Sequence, residues 1–250
     1  MDQSSQPILK RLGFASVLAV VAVVLPPLGG FLVLGYMDTI AQWLDSHREY
    51  GPAVYACAFA VLAGLALLPT YAQAILGGWA FGIAGGFPAA LVGFFGGSLI
   101  GYAVARPTAS ERVTRVIDEQ PKWAAVRDAL VPAAHDPRHG SLRTLGIVTL
   151  LRLPPNSPFA ITNLVLASVR VPLWIYSVGT IVGMAPRTLA AVWLGDALHG
   201  QFASIREGLS APKPWWLFAA MIAGTVVVLG IIGVIANKAV ERVTRPRSSA

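Results

Sequence analysis

The chain has 250 residues, of which 55% are hydrophobic and only 12% are charged. Soluble domains usually carry about 25% charged residues, so the composition argues against a soluble protein. The formal net charge is +7, but no basic stripe is interleaved with aromatic residues, which argues against nucleic-acid binding. The single cysteine, Cys57, excludes an internal disulfide.

Apolar runs of about 18 or more residues indicate membrane spans. The first region, 1–51, contains a predicted uncleaved transmembrane helix at about 12–36 and an outer loop. The second region, 52–196, is a predicted membrane domain with five parts in chain order: a hairpin at 52–86, a span at 88–105, a cytoplasmic amphipathic loop at 106–143, a hairpin at 144–169 and a span at 172–195. The third region, 197–250, contains a C-terminal transmembrane helix and a basic cytoplasmic tail.

Prolines interrupt both predicted hairpins and decide the predicted topology. Pro69 breaks the first hairpin, and three prolines break the second: Pro154, Pro155 and Pro158. If residues 52–68 crossed the bilayer completely, the basic tail would lie outside. If both hairpins are re-entrant, the N-terminal arm, the 106–143 loop and the tail are all cytoplasmic and hold 13 Lys and Arg, against 3 in the outer loops. The positive-inside rule favours the re-entrant arrangement, with both termini in the cytoplasm.

The two hairpins also resemble each other. Both begin near a Leu-Pro pair and end on a proline: LLPTYAQAILGGWAFGIAGGFP (67–88) and RLPPNSPFAITNLVLASVRVP (152–172). Each closing proline suits the first position of a helix and opens a span with glycines four residues apart: Gly93 and Gly97, and Gly179 and Gly183. We interpret this as an inverted repeat, which in transporters places the substrate where broken helices meet. The predicted fold is an all-α polytopic membrane protein with two re-entrant helical hairpins, each followed by a transmembrane helix, plus flanking transmembrane helices.

Arg152 is the strongest candidate for a functional residue, because it lies beside the break in the second hairpin. A lone arginine near mid-membrane costs at least about 2.5 kcal/mol on insertion scales. Broken helices are tolerated only against protein or a water-filled cavity, so we expect Arg152 to face a wet or polar cavity. Its planar donor fork suits phosphate, and Asn156 and Asn163 lie nearby in sequence. The alternative is that Arg152 ties down the hairpin tip through backbone carbonyls.

Arg187 and Gln73 complete the predicted substrate-binding residues. Arg187 follows Pro186 inside the span 172–195. The residue type permits a substrate contact, a bond to a carbonyl that the proline frees, an outward orientation towards the outer face, or a pair with Asp196. Gln73 lies near the first hairpin tip, and neither hairpin contains Asp, Glu or His. A titratable group for proton coupling is therefore not predicted within the path.

Enzymatic and metal chemistry have little support in the sequence. His135 and His139 are separated by Pro137, which argues against a helical metal pair. An intramembrane serine protease reading would start from Ser98, but no histidine lies in a predicted span. We therefore predict no catalytic residue, no metal and no cofactor, and we expect a protein that is not an enzyme.

Two longer stretches resemble the two halves of a known family. They are AILGGWAFGIAGGFPAALVGFFGGSLIGYAVAR (74–106) and LLRLPPNSPFAITNLVLASVRVPLWIYSVGTIVGMAPRTLAAVWLG (150–195), the second with the order R-x-x-P…P-F…N…G-x-x-P…G. The family is that of the SNARE-associated Golgi proteins, also called the VTT domain, and the bacterial DedA proteins are a related branch. The residues that match the pattern of its second half are Arg152, Pro154, Pro158, Phe159 and Asn163.

The resemblance implies two re-entrant hairpins in an inverted repeat and the movement of lipid between leaflets. Eukaryotic relatives scramble phospholipids, and DedA relatives are linked to the recycling of a polyprenyl-phosphate carrier. The chain departs from the DedA pattern in two ways. Gln73 and neutral neighbours stand near the position of the membrane-embedded acidic residues, and the second arginine shortly after Arg152 is absent.

The sequence thus predicts a multi-pass protein of the bacterial inner membrane that moves a phosphate-bearing lipid, either a phospholipid or a polyprenyl phosphate. Its predicted partners are membrane lipids with an anionic phosphate headgroup, and the sequence leaves open whether it forms a homo-oligomer. The alternative function is a scaffold or assembly factor that transports nothing and holds partners through the amphipathic loop.

Overall fold

The computed structural model describes residues 28–33, 35–108, 124–130, 140–154, 159–201 and 215–244. Every regular element within these ranges is a helix, which confirms the predicted all-α fold class. In chain order the helices are α1 (Met37–Ser46), α2 (Gly51–Gly64), α3 (Thr70–Thr108), α4 (Gly140–Arg152), α5 (Phe159–Ser168), α6 (Leu173–Gln201) and α7 (Trp215–Thr244). Residues 28–33 and 124–130 are also helical.

Three of these helices are long and apolar enough to cross a membrane: Thr70–Pro107, Leu173–His199 and Ile222–Arg242. Helices α2, α4 and α5 have 14, 13 and 10 residues. At 1.5 Å per residue even α2 is only about 21 Å long, which is shorter than a hydrocarbon core of about 30 Å. The described chain therefore combines long spanning helices with short apolar ones, as a polytopic membrane protein.

Gly82 divides α3 into two segments, which we call α3a (70–81) and α3b (83–108). Its φ of 65° and ψ of −175° lie in a region that essentially only glycine adopts. The chain reverses there, so that Gly86 of α3b lies against the backbone of Gly77 and Gly78 of α3a. The missing side chains permit this close approach, because a Cβ on Gly86 would overlap the backbone of α3a.

Helix α2 pairs with both segments of α3. Its partner across the turn at 65–69 is α3a, and the Tyr55 hydroxyl donates to the Gln73 carbonyl at 2.7 Å. Helix α2 then runs parallel to α3b, because Phe59 lies against Gly93 and Gly64 lies against Ile100. The first helical hairpin, α2–α3a, therefore begins and ends at one level, and its tip lies beside the middle of α3b.

Helices α4, α5 and α6 repeat this plan. Helix α4 ends at Arg152, α5 returns, and α6 runs parallel to α4, because Gly179 lies against Val148 and Gly183 lies against Arg152. The turn before α6 contains Arg170 with a φ of 56°, at the place where the first half has Gly82. The second helical hairpin, α4–α5, thus corresponds to α2–α3a.

The two halves run in opposite directions, as the predicted inverted repeat requires. Helices α3b and α6 are antiparallel, since Ser98 lies opposite Tyr176 and Phe94 lies opposite Arg187. The second helix of each hairpin also packs against the span of the other half: Phe159 of α5 contacts Phe94 of α3b, and Gly78 of α3a contacts Val192 of α6. Gly195 allows the second contact, because a Cβ there would overlap the carbonyl oxygen of Ile75.

The break in the first half differs from the predicted one. The sequence placed the start of the span at Pro88, whereas Pro88 lies inside α3b and the chain breaks at Gly82. Proline keeps a helical φ and can remain in a helix at the loss of one hydrogen bond. A residue with a positive φ cannot remain inside a right-handed helix, so the turn lies at Gly82.

Two predicted loops contain helical structure. The outer loop 37–51 holds α1, which buries Met37, Ala41 and Leu44 against the first half. In the 106–143 loop, residues 124–130 are helical, and Val126 and Leu130 are fully buried in the core of the second half. Most of the predicted first span lies outside the described residues, and so do residues 109–123 and 131–139 of the predicted loop.

Candidate functional site

The Arg152 side chain lies at the end of α4 and is 2% exposed. Its Nη2 donates to Asn163 Oδ1 at 2.5 Å and to the Tyr176 hydroxyl at 2.9 Å. Its Cζ lies 5.4 Å from the ring centre of Phe159 and 5.3 Å from that of Tyr176. Among the described residues, the hydrogen-bond partners of the Arg152 guanidinium are side chains of α5 and α6.

Tyr176 connects the hydrogen bonds around Arg152 to the first half. Its hydroxyl lies 2.7 Å from the carbonyl oxygen of Ser98 in α3b and 2.9 Å from Asn163 Oδ1. Gly101 leaves the space that Asn163 needs beside α3b, because a Cβ there would overlap Asn163 Nδ2. Ser98 Oγ itself donates to the Phe95 carbonyl at 2.7 Å, so its hydroxyl is bound to its own helix.

Arg187 is the second buried arginine and is 3% exposed. Its Nη1 donates to the carbonyl oxygen of Pro154 at 3.3 Å. Its Cζ lies 5.7 Å from the ring centre of Tyr71 and 5.6 Å from that of Phe94. Arg187 therefore lies between the two hairpins: Tyr71 follows the first tip, and Pro154 belongs to the second. It does not extend to the outer face, and Asp196 is not among these contacts.

Each guanidinium is thus flanked by two aromatic rings. A desolvated cation–π contact contributes about 2 kcal/mol or more, which offsets part of the cost of burying an arginine. The rings leave the charge itself uncompensated. No carboxylate is among the buried polar side chains of the described residues. Two like charges in one low-dielectric region also repel each other, so the site has a net positive charge and favours an anion.

The same region contains the buried side-chain atoms that lack a hydrogen-bond partner within the described chain. They are Arg152 Nε, Asn163 Nδ2, Arg187 Nε, Thr180 Oγ1 and Gln73 Oε1. Buried polar atoms are normally paired, and each exception requires an explanation. Three of the five are N–H donors, and both arginines contribute one. The site can therefore still donate to the oxygen atoms of an anionic ligand.

The structure brings together some of the predicted substrate-binding residues. Arg152 and Asn163 are in direct contact, and Arg187 reaches the same tip through Pro154. Gln73 is 3% exposed and lies within the first hairpin, where its Nε2 donates to the Leu68 carbonyl at 3.5 Å. No described hydrogen bond joins Gln73 to either arginine.

The predicted hairpin breaks fall at the tips where they are described. Pro69 lies in the non-helical turn between α2 and α3a, and Pro154 follows the end of α4. Asn156, Pro155 and Pro158 lie outside the described residues. The expectation that Arg152 lines a wet or polar cavity differs from its burial against aromatic rings. A cavity of about 300 Å³ does occur, but at the end of the molecule where Gly82 and Asp196 lie.

Several residues of the site carry no signal in the sequence. Tyr176 and Phe94 belong to apolar spans, in which an aromatic residue usually contacts lipid or core. One signal was present: Tyr176, Thr180, Gly183 and Arg187 are spaced so that they lie on one face of a helix. That shared face could have indicated that Arg187 and the residues around Arg152 belong to one site.

The fold and the site together define an integral membrane protein in which two opposed helical hairpins enclose a buried cationic site. A match to the VTT domain covers residues 68–197, just over half of the chain, and the chain belongs to this family. The match confirms the resemblance to the SNARE-associated Golgi and DedA proteins. No curated protein and no solved structure was found to match the chain.

Proposed function

We propose that the chain moves a phosphate-bearing lipid, a phospholipid or a polyprenyl phosphate, from one leaflet to the other, as a scramblase or flippase. The phosphate would lie between the two hairpins while the acyl or prenyl tails remain in the surrounding lipid. One observation carries the proposal: two buried guanidinium groups with unused donors lie where the hairpins meet, and no carboxylate is buried among the residues that the structure describes.

Phosphate fits the hydrogen-bond donors of this site. Guanidinium presents parallel N–H donors that match two phosphate oxygens. A charge-assisted hydrogen bond contributes about 1.5–3 kcal/mol, and the low dielectric strengthens it. Binding would also neutralise the mutual repulsion of Arg152 and Arg187. The ligand thus stabilises an arrangement that the protein alone holds at a cost.

The geometry of the hairpins supports a path across the bilayer. The tip of α2–α3a lies beside the middle of α3b, and α4–α5 approaches from the opposite direction. Each hairpin would therefore close the path from its own side of the membrane. The hydrogen bond between Arg187 and the Pro154 carbonyl is long, at 3.3 Å, and therefore weak. Separating the tips would cost little free energy at this contact.

The amphipathic loop gives the scaffold alternative less support. Residues 124–130 bury Val126 and Leu130 against the second half of the membrane domain. That surface is consequently not available to a partner while the helix is packed. We further propose that the protein lies in the bacterial inner membrane with both termini in the cytoplasm, on the charge distribution of the loops.

The test is a flipping assay in reconstituted vesicles, with fluorescent lipids that carry or lack a phosphate. We expect Arg152→Ala to slow movement of the phosphate lipid at least about 10-fold, since it removes charge-assisted hydrogen bonds. Arg152→Lys keeps the charge but loses the fork and should be intermediate. The matched control is Arg106→Ala, because Arg106 is exposed at the end of α3 and should leave the rate unchanged.

Thermal stability of each purified variant shows whether it has folded. Wild-type rates for a folded Arg152→Ala protein would remove the buried site from the mechanism. Equal movement of a phosphate-free glycolipid by the wild type would show that phosphate is not what the site recognises.

A further inference from the structure

The Tyr176 hydroxyl lies where several hydrogen bonds of the buried site meet, and the lipid movement proposed above would have to rearrange them. Its hydroxyl accepts a hydrogen bond from Arg152 Nη2 and has two acceptors within reach, the Ser98 carbonyl oxygen at 2.7 Å and Asn163 Oδ1 at 2.9 Å. A phenol has one hydrogen, so it donates to one acceptor at a time. The Tyr176 side chain is fully buried, and water cannot take the place of either partner.

The two acceptors differ in whether they have another hydrogen-bond donor. The Ser98 carbonyl lies inside α3b, where a helix carbonyl already accepts a backbone N–H. Asn163 Oδ1 depends on Arg152, its donor at 2.5 Å. If Arg152 turned towards a phosphate, Asn163 Oδ1 would become a buried acceptor without a donor, which is unfavourable.

We propose that Tyr176 is a positioning residue for Arg152: its hydroxyl holds the guanidinium at rest and passes its hydrogen from the Ser98 carbonyl to Asn163 when Arg152 turns to a phosphate. No proton is lost or gained in this exchange, because the hydroxyl only rotates. Arg152 can then change partners without leaving a buried acceptor unpaired. The inference rests on the proposed function, since it supposes that Arg152 binds the phosphate.

Tyr176→Phe removes the hydroxyl and keeps the ring beside Arg152. The chain offers a close control in Tyr102, whose ring centre lies 4.6 Å from that of Tyr176. The Tyr102 hydroxyl is also buried and also joins the two halves, since it donates to the Val171 carbonyl at 2.8 Å. It has no described hydrogen bond to Arg152 or Arg187.

The experiment measures the dissociation constant of the full-length protein in detergent for a short-chain phosphatidic acid, together with its melting temperature. We expect both Tyr176→Phe and Tyr102→Phe to lower the melting temperature, and Tyr176→Phe to lower it more, because the Tyr176 hydroxyl takes part in two buried hydrogen bonds at a time and the Tyr102 hydroxyl in one. Only Tyr176→Phe should weaken binding, by about 10-fold, because Asn163 Oδ1 would be left without a donor.

A double-mutant cycle separates the exchange from a purely structural role. In an Asn163→Ala background there is no acceptor to leave unpaired, so Tyr176→Phe should have little further effect on binding. Additive effects of the two substitutions would overturn the exchange. Equal binding by Tyr176→Phe and Tyr102→Phe would overturn the inference while leaving Arg152 in place. Unchanged binding by Arg152→Ala would overturn the proposed function itself.

Discussion

At the scale of single residues, the site depends on a glycine that has no side chain to contact a ligand. Gly101 of α3b faces Asn163, and a Cβ at this position would overlap the Asn163 amide nitrogen. We expect Gly101→Ala to displace Asn163, to loosen Arg152 and to destabilise the protein by roughly 1–3 kcal/mol, as overpacking usually does. Lipid flipping should fall together with the melting temperature.

Gly146→Ala is the matched control for this prediction. Gly146 lies inside α4, and no atom from elsewhere in the described chain lies within 4 Å of the position that a Cβ would take. Alanine is the better helix former by up to about 1 kcal/mol, so this variant should melt at the same temperature or higher. A Gly101→Ala protein with wild-type flipping would show that Asn163 need not stay in place.

The sequence could predict the buried arginines but not what surrounds them. Arg152 and Arg187 were visible because a permanent charge in an apolar segment is costly and needs a reason. Asn163 was predicted from its place near Arg152 in the sequence and from the family pattern. Tyr176 was not visible, because its role depends on the crossing of α3b and α6, which brings together residues 78 positions apart.

At the scale of elements, Gly82 sets the turn between the first hairpin and its span. Its backbone conformation is essentially restricted to glycine, and a Cβ would lie 3.1 Å from Asp196 Oδ1. We expect Gly82→Ala to cost about 1–3 kcal/mol and to lower the melting temperature by about 2–10 °C. The measurement is a thermal melt in detergent.

The corresponding turn of the second half provides the contrast. Arg170 already has a φ of 56°, in the left-handed region that side chains disfavour by roughly 1–2 kcal/mol. Arg170→Gly should change the melting temperature little, since relief of that strain is offset by the greater freedom of glycine in the unfolded chain. A larger loss of stability in Arg170→Gly than in Gly82→Ala would contradict this account of the turns.

Hydropathy predicted which segments are helical more reliably than where they break. Long apolar runs correctly indicated α3b, α6 and α7, because burial in lipid requires continuous apolar sequence. The break at Gly82 was missed because many glycines occur between Gly77 and Gly101, and only the folded backbone distinguishes one with positive φ from those that allow close packing.

At the scale of the whole molecule, the inverted repeat explains why the site is central, and the difference between its two halves explains why the site is positive. The second hairpin supplies Arg152, and the span that follows it supplies Arg187. Corresponding positions of the first half are neutral: Gly64 stands beside Gly97 as Arg152 stands beside Gly183. The two halves therefore share a backbone plan but differ in charge. Both arginines belong to the second half, whereas each half supplies two of the four aromatic rings: Tyr71 and Phe94 from the first, and Phe159 and Tyr176 from the second.

The depth of the two hairpin tips tests this arrangement directly. The first tip lies beside Gly97 and Ile100, about 12–16 Å along the helix from the end of α3b at Thr108. In a Cys57→Ala background, single cysteines would be introduced by Leu67→Cys and Leu153→Cys at the tips, by Arg48→Cys after α1, and by Glu241→Cys near the end of α7. A bulky, membrane-impermeant maleimide then reports which side reaches each position.

We expect position 48 to be labelled only from the outside and position 241 only from the cytoplasm, because the basic segments are retained there. Both tip cysteines should resist labelling from either side, since re-entrant hairpins would hold the tips within the bilayer. A first hairpin that crossed completely would instead expose position 67 to the cytoplasm and would move position 241 to the outside. Labelling of either tip as fully as position 48 would place the arginines near a membrane surface, where water could solvate them and no anion would be needed to offset their charge.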